Sequence, residues 1–162
     1  MNAVVALVDA QYGLSFLRGM FATVNPSVTG DDFPIVELTD ADGTAVRLEP
    51  DGRPMVVNLW YSTCGPCARE LQYFAAVDAE FGDQVRFVGV DPLDDVDKML
   101  EFAAARGVDY ELLRDDYTLV DALGTVYFPM TVFVSADGRI VAQTGELTDT
   151  ELRHHIDELL DR

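Results

Sequence analysis

Cys64 and Cys67 are the only cysteines in the chain, and they stand two residues apart in Cys64-Gly65-Pro66-Cys67. Two thiols at that spacing can close a disulfide with each other. At the start of a helix the first becomes an unusually reactive thiolate, because free N–H groups and the helix dipole favour negative charge. Redox chemistry is therefore the leading use of the pair. Tetrahedral zinc needs four ligands, and the only histidines, His154 and His155, are adjacent to each other and lack paired-ligand spacing. A purely structural disulfide would close a very short loop, where the entropic gain is small. No metal site and no cofactor is assigned.

The elements around the pair are legible from patterning. Met55 to Tyr61 is a nearly continuous apolar run, expected as the buried centre of a sheet. Ser62-Thr63 leads into Cys64, and Pro66 sits in the first helical turn, where its missing N–H costs nothing. Leu71, Phe74, Ala75 and Phe81 supply the buried face of that helix, and Gly82 ends it. Upstream, Ile35 to Thr39 and Thr44 to Leu48 form a hairpin about an Asp-Gly turn. Downstream come a strand over Val85 to Val90, a helix over Val96 to Ala105, a short strand over Tyr110 to Leu113 and a short helix over Tyr117 to Leu123. A second hairpin pairs Thr131 to Ser135 with Arg139 to Gln143. The last helix has Thr148 as N-cap and Glu151 at the capping-box position, and runs to Leu160. This order gives one α/β domain with helices covering a mixed sheet.

Residues 3–24 have the spacing of an amphipathic helix, with Val5, Val8, Tyr12, Phe16 and Met20 at steps of three or four. Three fates compete for that apolar face: its own domain, a second copy of the chain in a homodimer, or a membrane. With Arg18 as its only base, membrane adhesion is the weakest of them. The domain organisation expected is an N-terminal amphipathic extension over 1–32 and a folded domain over 33–162.

Charge bounds the partners. The formal net charge is −18, from 29 acids against 11 bases, which argues against nucleic acid or an anionic membrane. No apolar stretch is long enough to span a bilayer. The first eight residues lack the basic region of a signal peptide, so either the chain is cytoplasmic or a targeting segment was removed.

Trp60 through Cys67, following a buried strand, resembles the active-site segment of thioredoxin-fold proteins, and Phe128-Pro129-Met130-Thr131 about sixty residues later strengthens the likeness. The added N-terminal hairpin and the insert around residues 93–116 are similar to the TlpA-like redoxin branch. The resemblance implies a thiol–disulfide oxidoreductase and, between Phe128 and Pro129, a cis peptide beside the cysteines. Cys64 is then the nucleophile and Cys67 the resolving thiol. The glutamate three residues after Cys67, Glu70, matches the TlpA-like pattern and would lie one turn below the pair, tuning the thiol by desolvation and repulsion. Phe128, Pro129, Trp60, Gly65 and Pro66 make the implied substrate-binding set. Asn58 stands where thioredoxin has a buried aspartate, and Thr63 where a tryptophan is common.

The partners implied are a disulfide-containing protein substrate and an upstream redox donor. Gly-Pro between the cysteines resembles reducing thioredoxins, so the expected direction is reduction. The resemblance favours an extracytoplasmic setting, with a cytoplasmic one as the alternative. Two other functions compete. A thiol peroxidase would place Thr or Ser three residues before its cysteine and a proline further upstream; Tyr61 and Val57 hold those positions. A non-enzymatic docking module, or one carrying a soft metal such as copper(I), would use the N-terminal helix or the CxxC instead.

Overall fold

The computed structural model describes residues 24–162. The amphipathic stretch expected over 3–24 lies outside them save for Val24. Seven strands and four helices follow: β1 (Val36–Thr39), β2 (Ala45–Leu48), β3 (Met55–Leu59), α1 (Gly65–Phe81), β4 (Arg86–Asp91), α2 (Val96–Ala104), β5 (Glu111–Arg114), α3 (Thr118–Leu123), β6 (Met130–Val134), β7 (Ile140–Thr144) and α4 (Asp149–Leu160). They build one mixed sheet in the order β2-β1-β5-β4-β3-β6-β7. The neighbours β3, β4 and β5 are parallel, and the other pairings are antiparallel. The thioredoxin-type architecture with an added N-terminal hairpin is thus present.

All five residues of β3 are buried, because helices cover both faces of the sheet. On one face Val57, Leu59, Val88, Val90, Met130 and Val132 pack with α3. On the other, Val56, Phe87 and Phe133 meet Phe74 and Val77 of α1 and Leu152, Ile156 and Leu159 of α4. Each fully buried aliphatic chain of this kind contributes about 1.5–3 kcal/mol. A third cluster packs the redox pair itself, Cys64 and Cys67, with Trp60, Leu71, Met99 and Ala103.

Strand limits shift by a residue or two from the sequence expectation, as turns compete with pairing. The clearest case is β3, which stops at Leu59. Trp60 gives one more hydrogen bond, its N–H to the Val90 carbonyl at 3.1 Å, and the chain then leaves the sheet. Phe81 is only half-buried at the end of α1. The capping box of α4 is complete: the Thr148 hydroxyl accepts from Glu151 N–H, and the Glu151 carboxylate accepts from Thr148 N–H at 2.9 Å.

Residues 25–32 run against the outer edge of β7. Gly30 N–H donates to the Ile140 carbonyl at 2.8 Å, and Ile140 N–H donates to Asp31 at 2.9 Å. Pairing of this kind covers an otherwise open sheet edge.

Candidate active site

The polypeptide turns sharply after β3, and Cys64 lands at the N-cap of α1. Its backbone is extended (φ −87°, ψ 108°), and its sulfur accepts from the Cys67 N–H at 3.2 Å. Cys64 and Cys67 are joined by a disulfide across a Cα separation of 5.3 Å. Cys64 is 5% exposed and Cys67 fully buried, so the outer sulfur is the one a partner meets. Gly65 is exposed at the turn, and Pro66 is half-buried.

Asp94 holds the approach to Cys64. Its carboxylate accepts from Ser62 N–H at 2.6 Å and from the Ser62 hydroxyl at 2.7 Å, with Lys98 Nζ at 3.5 Å. Asp91, at the end of β4, folds the intervening turn by accepting from the N–H groups of Leu93 and Asp94, both at 2.9 Å. Burial pushes the Asp91 carboxyl up to about 7; the backbone N–H groups of Asp94 and Leu93 pull the other way, and the Asp94 carboxylate adds to the rise. Burial also acts to raise Asp94, but the bonds from Ser62 outweigh it and hold Asp94 below the usual carboxylate range. Neither aspartate stood out as a site residue in the sequence. The available signal was two acids placed at the end of a buried strand.

Glu70 lies beneath the pair, one turn further along α1, and is fully buried. One carboxylate oxygen accepts from Asn58 Nδ2 at 3.0 Å, and the other from Leu147 N–H at 2.9 Å. Asn58 Nδ2 also donates to the Thr131 hydroxyl at 2.9 Å, while Asn58 Oδ1 has no partner. Asn58 and Thr131 are direct cross-strand partners on β3 and β6, which is why one amide reaches both groups. Loss of solvation is the main influence on Glu70 and drives its pKa up to about 7; the two hydrogen bonds pull the other way, and the charge of Glu146 adds to the rise. Arg69, its neighbour in sequence, points to the surface and pairs with Glu146 at 2.7 Å.

Trp60 is fully buried and stacked on Phe102 of α2 at 5.3 Å. Arg106 lies over the Phe102 ring, its guanidinium 3.6 Å from the ring centre. The Arg106 side chain also donates to the Ala68 carbonyl on α1 at 3.2 Å. The insert around residues 93–116 therefore walls one side of the redox pair. Gly89 on β4 makes room for this packing: a Cβ there would fall 2.9 Å from Trp60 Nε1 and 2.8 Å from Leu112 Cδ2.

The Phe128–Pro129 peptide is cis. Pro129 is buried, and Phe128 is half-buried with its ring edge-on to Tyr61 at 5.3 Å. Pro66, Phe128 and Pro129 line one groove of about 460 Å³. His155 stacks on Phe133 at 4.7 Å, as part of the packing beneath α4.

Comparison with known proteins agrees with this geometry. Residues 29–143 match the AhpC/TSA family model. The thiol-disulfide oxidoreductase ResA of Bacillus subtilis is 26% identical over 159 residues, covering 96% of this chain and 89% of ResA. The structure of MTB DsbF in its mixed oxidized and reduced forms is 28% identical with a TM-score of 0.69, over 76% of this chain and 94% of that one. A secreted Mycobacterium tuberculosis disulfide oxidoreductase homologous to E. coli DsbE is 25% identical with a TM-score of 0.67, over 76% and 96% of the two chains. With its two cysteines bonded at the head of a helix in a thioredoxin fold, the chain belongs to the AhpC/TSA family and is a thiol–disulfide oxidoreductase.

Proposed function

We propose that the protein reduces disulfides in other proteins outside the cytoplasm, with Cys64 as the attacking thiolate and Cys67 as the resolving thiol. The observation that carries this reading is Cys64 itself, which caps α1 and is bonded to a fully buried Cys67. In the reduced protein the Cys64 thiolate attacks one sulfur of a substrate disulfide. A bond forms between those two sulfurs, and the other substrate sulfur leaves as a thiolate. Cys67, deprotonated, then attacks the Cys64 sulfur, closing the intramolecular disulfide and releasing the second substrate thiol. Two electrons pass to the substrate, so an upstream dithiol donor must restore the pair.

Glu70 holds the proton balance beneath Cys67, since it is poised to titrate near neutrality. Phe128, Pro129, Gly65 and Pro66 meet the substrate; Trp60, placed in that set by the sequence, is fully buried and supports the cysteines from within the core instead. The extracytoplasmic setting is supported by the secreted M. tuberculosis relative. No described helix is long and apolar enough to cross a membrane. A homodimer through residues 3–24 belongs to the same proposal. The peroxidase reading lacks its Thr or Ser, because Tyr61 takes that position and packs on Phe128.

The direction is tested by equilibrating the Cys64–Cys67 pair in glutathione and dithiothreitol buffers. A potential near that of thioredoxin, about −270 mV, is expected for a reductant. A value near about −120 mV overturns reduction in favour of disulfide insertion.

A further inference from the structure

A substrate polypeptide must reach a disulfide that is almost wholly buried. The groove of about 460 Å³ at Pro66, Phe128 and Pro129 offers the approach. Part of its lining lies outside the sheet-and-helix core. Val24, Asn25, Ser27 and Thr29 supply it, from the strap that precedes the first strand.

Two side-chain amides stitch that strap in place. Asn25 Oδ1 accepts from the N–H groups of Val126 and Tyr127, both at 2.7 Å, and Asn25 Nδ2 donates to the Tyr127 carbonyl at 2.8 Å. Gln143 on β7 reaches back: its Oε1 accepts from Val28 N–H at 2.8 Å, and its Nε2 donates to the Pro26 carbonyl at 3.0 Å. One residue of the strap therefore holds the loop that carries the chain into the cis proline. Amide-to-backbone bonds fix both position and orientation, which a purely apolar contact would not.

The chemistry of the groove narrows what it accepts. Among the described residues lining it, Glu146 alone is charged, and Arg69 neutralises it through bonds at 2.7 and 2.8 Å. The lining also holds uncharged polar side chains such as Asn25, Ser27 and Thr144, and exposed Val24 (71%) and Tyr127 (43%); Val126, next to Tyr127 in the chain, is 64% exposed. With no unpaired charge among the described lining residues, the groove gives little to a charged peptide, while Val24, Phe128 and the prolines desolvate an apolar one favourably.

We infer that the Asn25 strap is the specificity wall of the enzyme, selecting extended polypeptide substrates whose residues beside the cysteine are apolar. This rests on the reading that Cys64 exchanges with protein disulfides. The test uses the reduced full chain under stopped flow with two symmetric peptide disulfides, one with Val and Leu beside the cysteine and one with Ser in those places. The small disulfide dithiobisnitrobenzoate reports the exchange chemistry without a peptide. Wild type is expected to react about tenfold faster with the apolar-flanked peptide, the effect of partly burying one or two side chains. Asn25→Ala should cut that preference to about twofold while slowing the small disulfide no more than about twofold. Gln143→Ala, which frees the strap from its other side, should do the same. The inference is overturned if both alanine variants keep the tenfold preference, or if they slow peptide and small disulfide equally. A wild type inert to the small disulfide would sink the exchange chemistry itself, and the strap's role with it.

Discussion

Glu70 shows how much of a residue's behaviour is set by what surrounds it. Its place one turn after Cys67 could be read from the sequence, because helical spacing is regular. Its acidity could not. That is set first by burial, which raises the pKa, against the bonds from Leu147, 77 residues away, and from Asn58 across the interior, which lower it. The folded pKa of about 7 lies above the ordinary value of 4.5. Below pH 4.5 both folded and unfolded chains carry the proton, and the associated stability is fully present. As the pH rises towards 7 the unfolded chain releases its proton first, so this stability is lost across that window, by on the order of 3 kcal/mol. Glu70→Gln should therefore be less sensitive to pH between about 4.5 and 7 than wild type, as read by urea unfolding at a series of pH values. In single-turnover reduction, the resolving step of wild type should show an inflection near pH 7 that Glu70→Gln lacks. Matching profiles would remove Glu70 from the mechanism.

Among the elements, β4 does more than fill the centre of the sheet. Its buried, apolar pattern identified it as a strand, but the reason for a glycine at its middle emerges only from packing. Gly89 lies opposite Asn58 on β3 and beneath the indole of Trp60. The rigid indole and the half-buried Leu112 both stand within 3 Å of the added methyl, so overpacking is expected to cost about 1–3 kcal/mol. Gly89→Ala should lower stability by that amount and shift the emission of Trp60, the only tryptophan in the chain. A stability within about 0.5 kcal/mol of wild type and unchanged emission would show that the cluster yields. The same strand ends in Asp91, whose turn brings Asp94 to Ser62 and so steadies the residue pair before Cys64.

At the scale of the whole molecule, the extension ties sheet edge and redox groove together. Residues 25–32 cover the open side of β7 and, through Asn25, grip the loop before Pro129. The stretch over 3–24 precedes them, with apolar residues at helical steps. If that face pairs with a second copy, the full chain should sediment as a dimer that dissociates on dilution, and replacing Phe16 and Met20 with Glu should give a monomer. A full chain that is monomeric at every concentration would leave the face to its own domain. The net charge of −18 acts over the same scale and opposes any weak self-association at low salt, so the measurement belongs at physiological ionic strength.

The sequence by itself determined the chemistry and the order of elements. Cys64 and Cys67 were legible because disulfide exchange needs only two thiols at short spacing, and the strands and helices because their periodicities are local. Pro129 was recognisable through its likeness to a known pattern. Tertiary structure alone decided which distant groups meet. It brought Leu147 to Glu70, Asp94 to Ser62 and Asn25 to Tyr127, pairs separated by 77, 32 and 102 residues. None of these contacts leaves a local signature, because each joins a polar side chain on one segment to backbone on another. Burial then raises the pKa of Glu70, as it makes hydrogen bonds on unrelated segments the only solvation that is left.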